Sequence, residues 1–162
     1  MPLGFAGFVW ILLIVVARLV GITDVNAGRR PLGVSLTAFT GLALTIQAAI
    51  VLVGLGVAVN VVQTMAIAIG VLFVVLGNAM PKSQPNSLAG LRIPTTLRDP
   101  ANWHATHRLT GLLCIVGGLV LIVAALFVPT ATLIWWLLAC VLVPMLIGVG
   151  YSLALARRHR AS

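Results

Sequence analysis

The sequence alternates long apolar stretches with short polar ones. Apolar residues dominate residues 3–20, 37–80 and 109–156. A helix needs about 20 apolar residues to cross the ~30 Å hydrocarbon core of a bilayer. As a single helix, the second stretch would be about 65 Å long, so it has to fold back once. Its middle carries Asn60 and Gln63, which places the turn near residues 59–62.

The last apolar stretch also has room for two spans, because Pro129-Thr130 interrupts it. The pattern therefore predicts an all-α polytopic membrane helix bundle of about five transmembrane helices, formed by residues 1–162 as one membrane domain. Gly28 to Pro31 is predicted to break the chain after the first helix. Prolines rule out one continuous helix over residues 81–107, which are predicted to form a structured cytoplasmic loop. The predicted helices cover residues 3–20, 37–58, 62–80, 108–128 and 131–155.

The distribution of charge predicts the orientation of these helices. The chain has ten Lys and Arg, two Asp and Glu, and a net charge of +8. Five spans place all ten basic residues on one side, which the positive-inside rule identifies as cytoplasmic. We therefore expect the N-terminus outside and the C-terminus in the cytoplasm. The basic residues are Arg18, Arg29, Arg30, Lys82, Arg92, Arg98, Arg108, Arg157, Arg158 and Arg160.

Composition excludes several classes of protein. The chain is 61% hydrophobic and 7% charged, whereas a soluble domain is about 25% charged. Its basic residues form no stripe interleaved with aromatic residues, so we expect membrane lipids and not nucleic acid as partners. Asp24 and Asp99 are both predicted to be cytoplasmic, which leaves no membrane-embedded carboxylate for a proton relay. No nucleophile–base–orienter set is recognisable, so we expect no enzymatic activity.

The polar and small residues inside the predicted spans leave two alternatives open. Gln47 lies near the middle of the second predicted helix, where an interhelical hydrogen bond is the favoured interpretation and the lining of a ligand cavity is the other. Glycines throughout the spans permit close helix approach. They could serve the bundle itself or a homo-oligomer.

The predicted loop carries the residues with chemical potential. Asp99 followed by Pro100 is typical of an N-cap and first helical position. A helix from there carries Trp103 and His107 on one face and can continue through Arg108 into the fourth span. His107 is expected to hydrogen-bond to the loop backbone. His104 and His107 have no third ligand at motif spacing, so we expect no metal and no cofactor.

Three basic residues of this region have two interpretations. Lys82, Arg92 and Arg108 either reflect membrane topology and headgroup contact, or line a cytoplasmic pocket for an anion such as a lipid phosphate or a partner's carboxylate. Arginine suits bidentate binding of either group. The sequence leaves both interpretations open.

Residues 77–111 contain a pattern of glycine, asparagine, proline and basic positions followed by W-x-x-T-H-R-x-x-G. This stretch resembles the SdpI family of bacterial toxin-immunity membrane proteins. Thr95 stands where the family usually has Trp, and an additional N-terminal module carried by many members is absent, so we expect a minimal version. The matching residues are Gly77, Asn78, Pro81, Lys82, Asn86, Gly90, Arg92, Pro94, Thr96, Leu97, Trp103, Thr106, His107, Arg108 and Gly111.

The resemblance implies a multi-pass protein of the bacterial cytoplasmic membrane that gives resistance to a secreted antimicrobial toxin peptide by binding or blocking it. The matching loop residues are then the expected functional ones. Two other functions remain open. One is a small lipid or solute transporter or scramblase with an anion-binding cytoplasmic loop. The other is a membrane enzyme that acts on lipid-linked phosphate.

Overall fold

A computed structural model of the protein describes residues 22–85 and 90–161, and its regular structure is helical throughout these ranges. The all-α class is therefore confirmed. Met80–Lys82 and Thr130–Thr132 form single 3₁₀ turns. The first predicted helix, residues 3–20, lies outside the described residues. The α-helices of the described residues are α1 (Ile22–Gly54), α2 (Val61–Ala79), α3 (Pro94–Arg98), α4 (Pro100–Phe127) and α5 (Leu133–Ala161).

Four of the described helices are long and apolar enough to cross a membrane. A span of about 20 residues is sufficient, and these segments have 22 to 29 residues with mean hydropathies of 2.0 to 2.7. The short α3 packs at one end of the bundle, beside α4 and α5. The candidate spans are Gly33–Gly54, Val61–Lys82, Pro100–Phe127 and Thr130–Arg158.

Short connections make α1 antiparallel to α2, and α4 antiparallel to α5. The two connections meet at one end of the bundle, where the Asn60 side-chain amide donates to the hydroxyl of Thr130 at 3.3 Å. Asn60 also caps α2, because its Oδ1 accepts the backbone N–H of Gln63 at 3.1 Å. The Gln63 side chain in turn donates to the carbonyl of Ala125 at 2.9 Å. Asn60 and Gln63, the polar residues near the predicted turn, thus link α2 to the end of α4 and to the turn between α4 and α5.

Glycines on facing helices set the distance between α2 and α4. A Cβ added to Gly77 would lie 2.5 Å from the carbonyl oxygen of Gly111, and one added to Gly118 would lie 2.5 Å from that of Gly70. These distances are shorter than van der Waals contact, so the two backbones can approach only where both helices lack side chains. By contrast, nothing lies within 4 Å of a Cβ added to Gly41. The glycines at the contact between α2 and α4 therefore serve packing within the bundle: Gly70, Gly77, Gly111 and Gly118.

The helix α4 is the centre of the bundle and α1 is its least packed member. In the most apolar 18-residue segment of α4, 39% of the residues are buried, whereas in the corresponding segment of α1 only 6% are buried. Leu121 is fully buried at the centre of a cluster with Ala66 of α2 and Cys140 of α5. Most of the α1 surface is therefore not buried against the other described helices.

The structure corrects the predicted break after the first span. Residues 28–31 are part of α1, which continues through Pro31. A proline inside a helix removes one backbone hydrogen bond and strains the preceding turn, at a cost of about 3 kcal/mol, but it need not end the helix. With 33 residues, α1 is about 50 Å long. Its N-terminal third therefore extends beyond the ~30 Å hydrocarbon core.

The fourth predicted helix begins eight residues earlier than its predicted bound, at Pro100. Asp99 is its N-cap, and the Asp99 carboxylate accepts the backbone N–H of Ala101 at 2.8 Å. This is the start that the Asp99-Pro100 pair predicts. Residues 100–107, assigned by their predicted bounds to the loop, are thus the first two turns of α4.

Candidate functional site

The matching residues concentrate in a structure that we call the cap, formed by residues 80–85 and 90–107. It consists of the 3₁₀ turn Met80–Lys82, the helix α3 and the first two turns of α4. It lies at the end of the bundle opposite the contact between Asn60 and Thr130. Several of its side chains are fully buried, and hydrogen bonds to backbone groups or to other side chains hold them in place.

Trp103 and His107 form the centre of the cap. Both are fully buried, and their rings stack with centroids 4.0 Å apart and planes inclined by 19°. Four residues apart on α4, they lie on the same helical face. The indole N–H of Trp103 donates to the carbonyl of Ser83 at 3.1 Å. This bond fastens the segment that follows α2 to the start of α4.

Both ring nitrogens of His107 are engaged by the backbone. Its Nδ1 lies 2.8 Å from the carbonyl oxygen of Trp103, which can only accept, so Nδ1 carries the proton. Its Nε2 accepts the backbone N–H of Leu91 at 2.9 Å. The expected hydrogen bond between His107 and the loop backbone is therefore present, with Leu91 as the donor. A neutral imidazole with this tautomer satisfies both contacts, and protonation at Nε2 would break the second.

Gly90 is required for this contact on two grounds. Its φ is +111°, a conformation that residues with a Cβ rarely adopt. A Cβ at this position would also overlap the Nε2 atom of His107. The glycine thus allows the chain to turn directly over the imidazole edge, so that the next amide, that of Leu91, points at Nε2.

Thr96 closes the turn that follows. It is fully buried, and its hydroxyl proton is shared between the carbonyl oxygens of Leu91 at 2.7 Å and Ile93 at 2.9 Å. The same oxygen accepts the backbone N–H of Ile93 at 3.2 Å. One threonine therefore satisfies the backbone around the start of α3, where Pro94 has no N–H to offer.

A buried polar network joins α3, α4 and α5. Asn102 donates its amide to the carbonyl of Ser152 at 2.9 Å. Its Oδ1 accepts the hydroxyls of Thr106 at 2.9 Å and of Ser152 at 2.8 Å. Because the Ser152 proton is used in this way, Thr95 is the donor in the 2.7 Å contact between the Thr95 and Ser152 hydroxyls. Each hydrogen bond polarises the next, which strengthens such a network in a low dielectric.

The sequence analysis did not identify Asn102, Ser152 or Ser83 as members of the site. The spacing of Asn102 and Thr106, four residues apart on one helix, was an available signal. Nothing local marks Ser152, which lies fifty residues further along the chain. Thr95, noted only as a departure from the family pattern, contributes a hydroxyl to this network.

Thr110 is an exception to this pattern of paired polar groups. It is fully buried, and among the described residues its hydroxyl has no hydrogen-bond partner. It packs against Gly148 of α5, where an added Cβ would overlap the Thr110 hydroxyl. The close approach of α5 to α4 at this level depends on that glycine.

The remaining predicted site residues face outwards or line a groove. Arg92, Pro94 and Arg108 are exposed, as is Pro81. Asn86 lies outside the described residues. Their exposure leaves the side chains of Arg92 and Arg108 accessible to an anionic partner.

Asn78 and Lys82 line a groove of about 460 Å³ between α1, α2 and α4. Neither Arg92 nor Arg108 lines it, so this groove does not assemble the three basic residues considered together in the sequence. The other lining residues are apolar: Val34, Val74, Val75, Ala79 and Ile115.

The structure does not support the predicted interhelical hydrogen bond of Gln47. The residue is exposed on α1, and it forms no side-chain hydrogen bond with the described residues. The reason is that α1 packs on the bundle by few residues, such as Ala49, which is 3% exposed. Nor does Gln47 line the groove at Lys82.

The part of the chain that matches a known protein family includes most of the cap. Residues 82–152 match the sequence profile of the SdpI/YfhL protein family. This match and a curated relative support membership of this region in the SdpI/YfhL protein family. The matched segment begins at Lys82 and ends at Ser152, so it contains most of the cap, all of α4 and the α5 residue that closes the polar network. The family resemblance seen in the loop is confirmed.

One curated relative is the immunity protein SdpI of Bacillus subtilis (strain 168), which is 30% identical over 82 residues. The match covers 51% of this chain and 40% of that protein. The chain thus spans less than half the length of the relative it matches. No solved structure matches the chain significantly.

Proposed function

We propose that this protein is a membrane immunity protein that protects a bacterium from a secreted antimicrobial toxin peptide, and that the cap is the part that engages the toxin or its effect. The family region carries the proposal, because it coincides with the cap and its supporting helices. The name of the Bacillus subtilis relative supports the same role.

The cap has the construction of a rigid binding platform. Its interior is occupied by Trp103, His107 and Thr96, which pair with one another or with the backbone, so they hold the shape and do not face a partner. Arg92 projects from this platform and is exposed. The amides on either side of it are fixed, that of Leu91 by His107 and that of Ile93 by Thr96. An arginine on a fixed backbone loses less entropy when it binds a carboxylate.

We place the cap in the cytoplasm as part of this proposal. The described ends of the helices that carry basic residues are the N-terminal part of α1, the cap and the C-terminus of α5. Consecutive antiparallel spans bring all three to one side, and the positive-inside rule assigns that side to the cytoplasm. The cap then acts on the inner face of the membrane that the toxin attacks.

The test is survival of toxin-sensitive bacteria that express the protein, an Arg92→Ala variant or an Arg158→Ala variant at matched membrane abundance. Arg158 is also exposed and near the same end of the bundle, so its variant controls for loss of one positive charge. We expect the wild type and Arg158→Ala to protect. The Arg92→Ala variant should lose protection at a toxin dose about tenfold or more below the dose that overcomes the wild type. The reason is that a hydrogen bond to a charged group contributes about 1.5–3 kcal/mol.

Absence of protection by abundant wild-type protein would contradict the immunity role. Protection that is equal in the two variants would retain the immunity role but exclude Arg92 as its contact. These outcomes separate the function from the residue assigned to it.

A further inference from the structure

We propose that the groove between α1, α2 and α4 binds one acyl chain of an anionic phospholipid, with the lipid phosphate placed on the ammonium group of Lys82. The site is separate from the exposed arginines of the cap and does not depend on the immunity role. It has a volume of about 460 Å³, which lies within the range of about 300–1,000 Å³ that ligand sites occupy in proteins.

The lining of the groove changes along its length. Val34, Val74, Val75 and Ile115 make its wall apolar, whereas Asn78 and Lys82 bring an amide and an ammonium group to one end. Asn78 and Lys82 are four residues apart, so they lie on the same side of the chain at successive turns. An apolar wall with a cationic end fits a molecule with a hydrocarbon tail and a negative head.

The groove also has the depth of one leaflet. From Val74 to Lys82 the chain rises by about 12 Å, which is most of the half-thickness of a ~30 Å hydrocarbon core. The apolar end therefore lies among the acyl chains, and Lys82 lies at the level of the headgroups. A soluble anion would use only the polar end and leave the apolar wall without a partner.

The two sides of the groove have different packing. The α2 and α4 walls are held together by the glycine contacts between Gly77 and Gly111, whereas α1 is the least buried of the four described candidate spans. Val34, on the α1 side, is 37% exposed. A lipid chain in this position would fill the space that α1 leaves beside the bundle.

The experiment is native mass spectrometry of the purified full-length protein, equilibrated with equimolar phosphatidylglycerol and phosphatidylcholine of identical acyl chains. We expect the wild type to retain phosphatidylglycerol about fivefold more, because one lysine near the surface contributes about 1 kcal/mol toward an anionic lipid. Lys82→Gln should abolish this preference. Arg158→Gln, which removes the same charge from another exposed position at the same end, should keep it.

The acyl chain is tested separately. Val34→Trp fills the groove from its least packed side, so it should lower retention of both lipids. Excess inorganic phosphate should not displace the retained lipid. Equal loss of preference in Lys82→Gln and Arg158→Gln would overturn the site in favour of general surface attraction. Displacement by inorganic phosphate, with unchanged retention in Val34→Trp, would overturn it in favour of a simple anion site.

Discussion

Replacement of Gly90 by alanine tests the contact between the loop and His107 that organises the cap. The new methyl group has to share the position of the His107 Nε2 atom. Either the imidazole moves or the loop does, and both movements break the hydrogen bond from the Leu91 amide to Nε2. The substitution therefore combines backbone strain with the loss of a partly buried hydrogen bond.

Gly56 provides a matched control. Its φ is also positive, at +79°, but nothing lies within 4 Å of an added Cβ. Alanine there adds only the strain of a left-handed conformation, about 1–2 kcal/mol. At Gly90 the same kind of strain is joined by about 1–3 kcal/mol for the polar groups left unpaired. We thus expect Gly90→Ala to lower the free energy of unfolding by about 2–5 kcal/mol.

The assay is thermal unfolding in a mild detergent, followed by tryptophan fluorescence because Trp103 stacks on His107. The expected difference of about 1–3 kcal/mol between the two variants corresponds to about 2–12 °C in Tm for a protein of this size. The double variant with His107→Ala provides a thermodynamic cycle. Without the imidazole the methyl group of Ala at position 90 has room, so its additional cost over Gly56→Ala should disappear.

Equal losses of Tm in Gly90→Ala and Gly56→Ala would refute this reasoning, because they would show that the loop is not held against His107. Additive effects of Gly90→Ala and His107→Ala in the cycle would refute it as well, since overlapping atoms cannot contribute independently.

Two further predictions concern the packing of α4. Thr110→Val replaces a buried hydroxyl without a described partner by a methyl group. The free energy of unfolding, measured by chemical denaturation, should therefore be unchanged or rise by up to about 1 kcal/mol. A clear decrease would mean that the hydroxyl is paired. Gly118→Ala should lower it by about 1–3 kcal/mol, because the Cβ would lie 2.5 Å from the carbonyl oxygen of Gly70. Gly41→Ala is the control, because nothing lies within 4 Å of the added Cβ, and it should be neutral or stabilising by up to about 1 kcal/mol. Similar decreases in the free energy of unfolding for Gly118→Ala and Gly41→Ala would contradict the close approach of α2 and α4.

Local chemistry explains which parts of the site were predictable. Asp99 and Pro100 specify a helix start through groups within two residues of each other, and the helix begins there. The hydrogen bond between His107 and the loop backbone was also expected, although its partner Leu91 lies sixteen residues away. The helix start depends on short-range geometry, which a sequence displays directly.

Other features depend on contacts between distant parts of the chain. Ser152 lies fifty residues from Asn102, and no spacing rule connects them. Gln47 was expected to bond across helices because polar groups inside a membrane usually find partners. Its exposure follows from the rotation of α1 about its axis, which packing decides and hydropathy does not. Continuation of α1 through Pro31 likewise exceeds what a local breaker signal can settle.

The sequence by itself determined that this chain is an all-α membrane protein, where its long apolar segments lie and which segment resembles a known family. Each of these follows from the ~30 Å thickness of the bilayer or from residue types at fixed local spacing. Only the tertiary structure decided which motif residues are interior supports and which face outwards. Trp103, His107 and Thr96 are buried, whereas Arg92 is exposed and Lys82 lines a groove of about 460 Å³. The physical reason is that burial and pairing depend on how each helix is rotated about its axis and how closely the helices approach one another. The close approach requires glycines on α2, α4 and α5 at the positions where these helices meet.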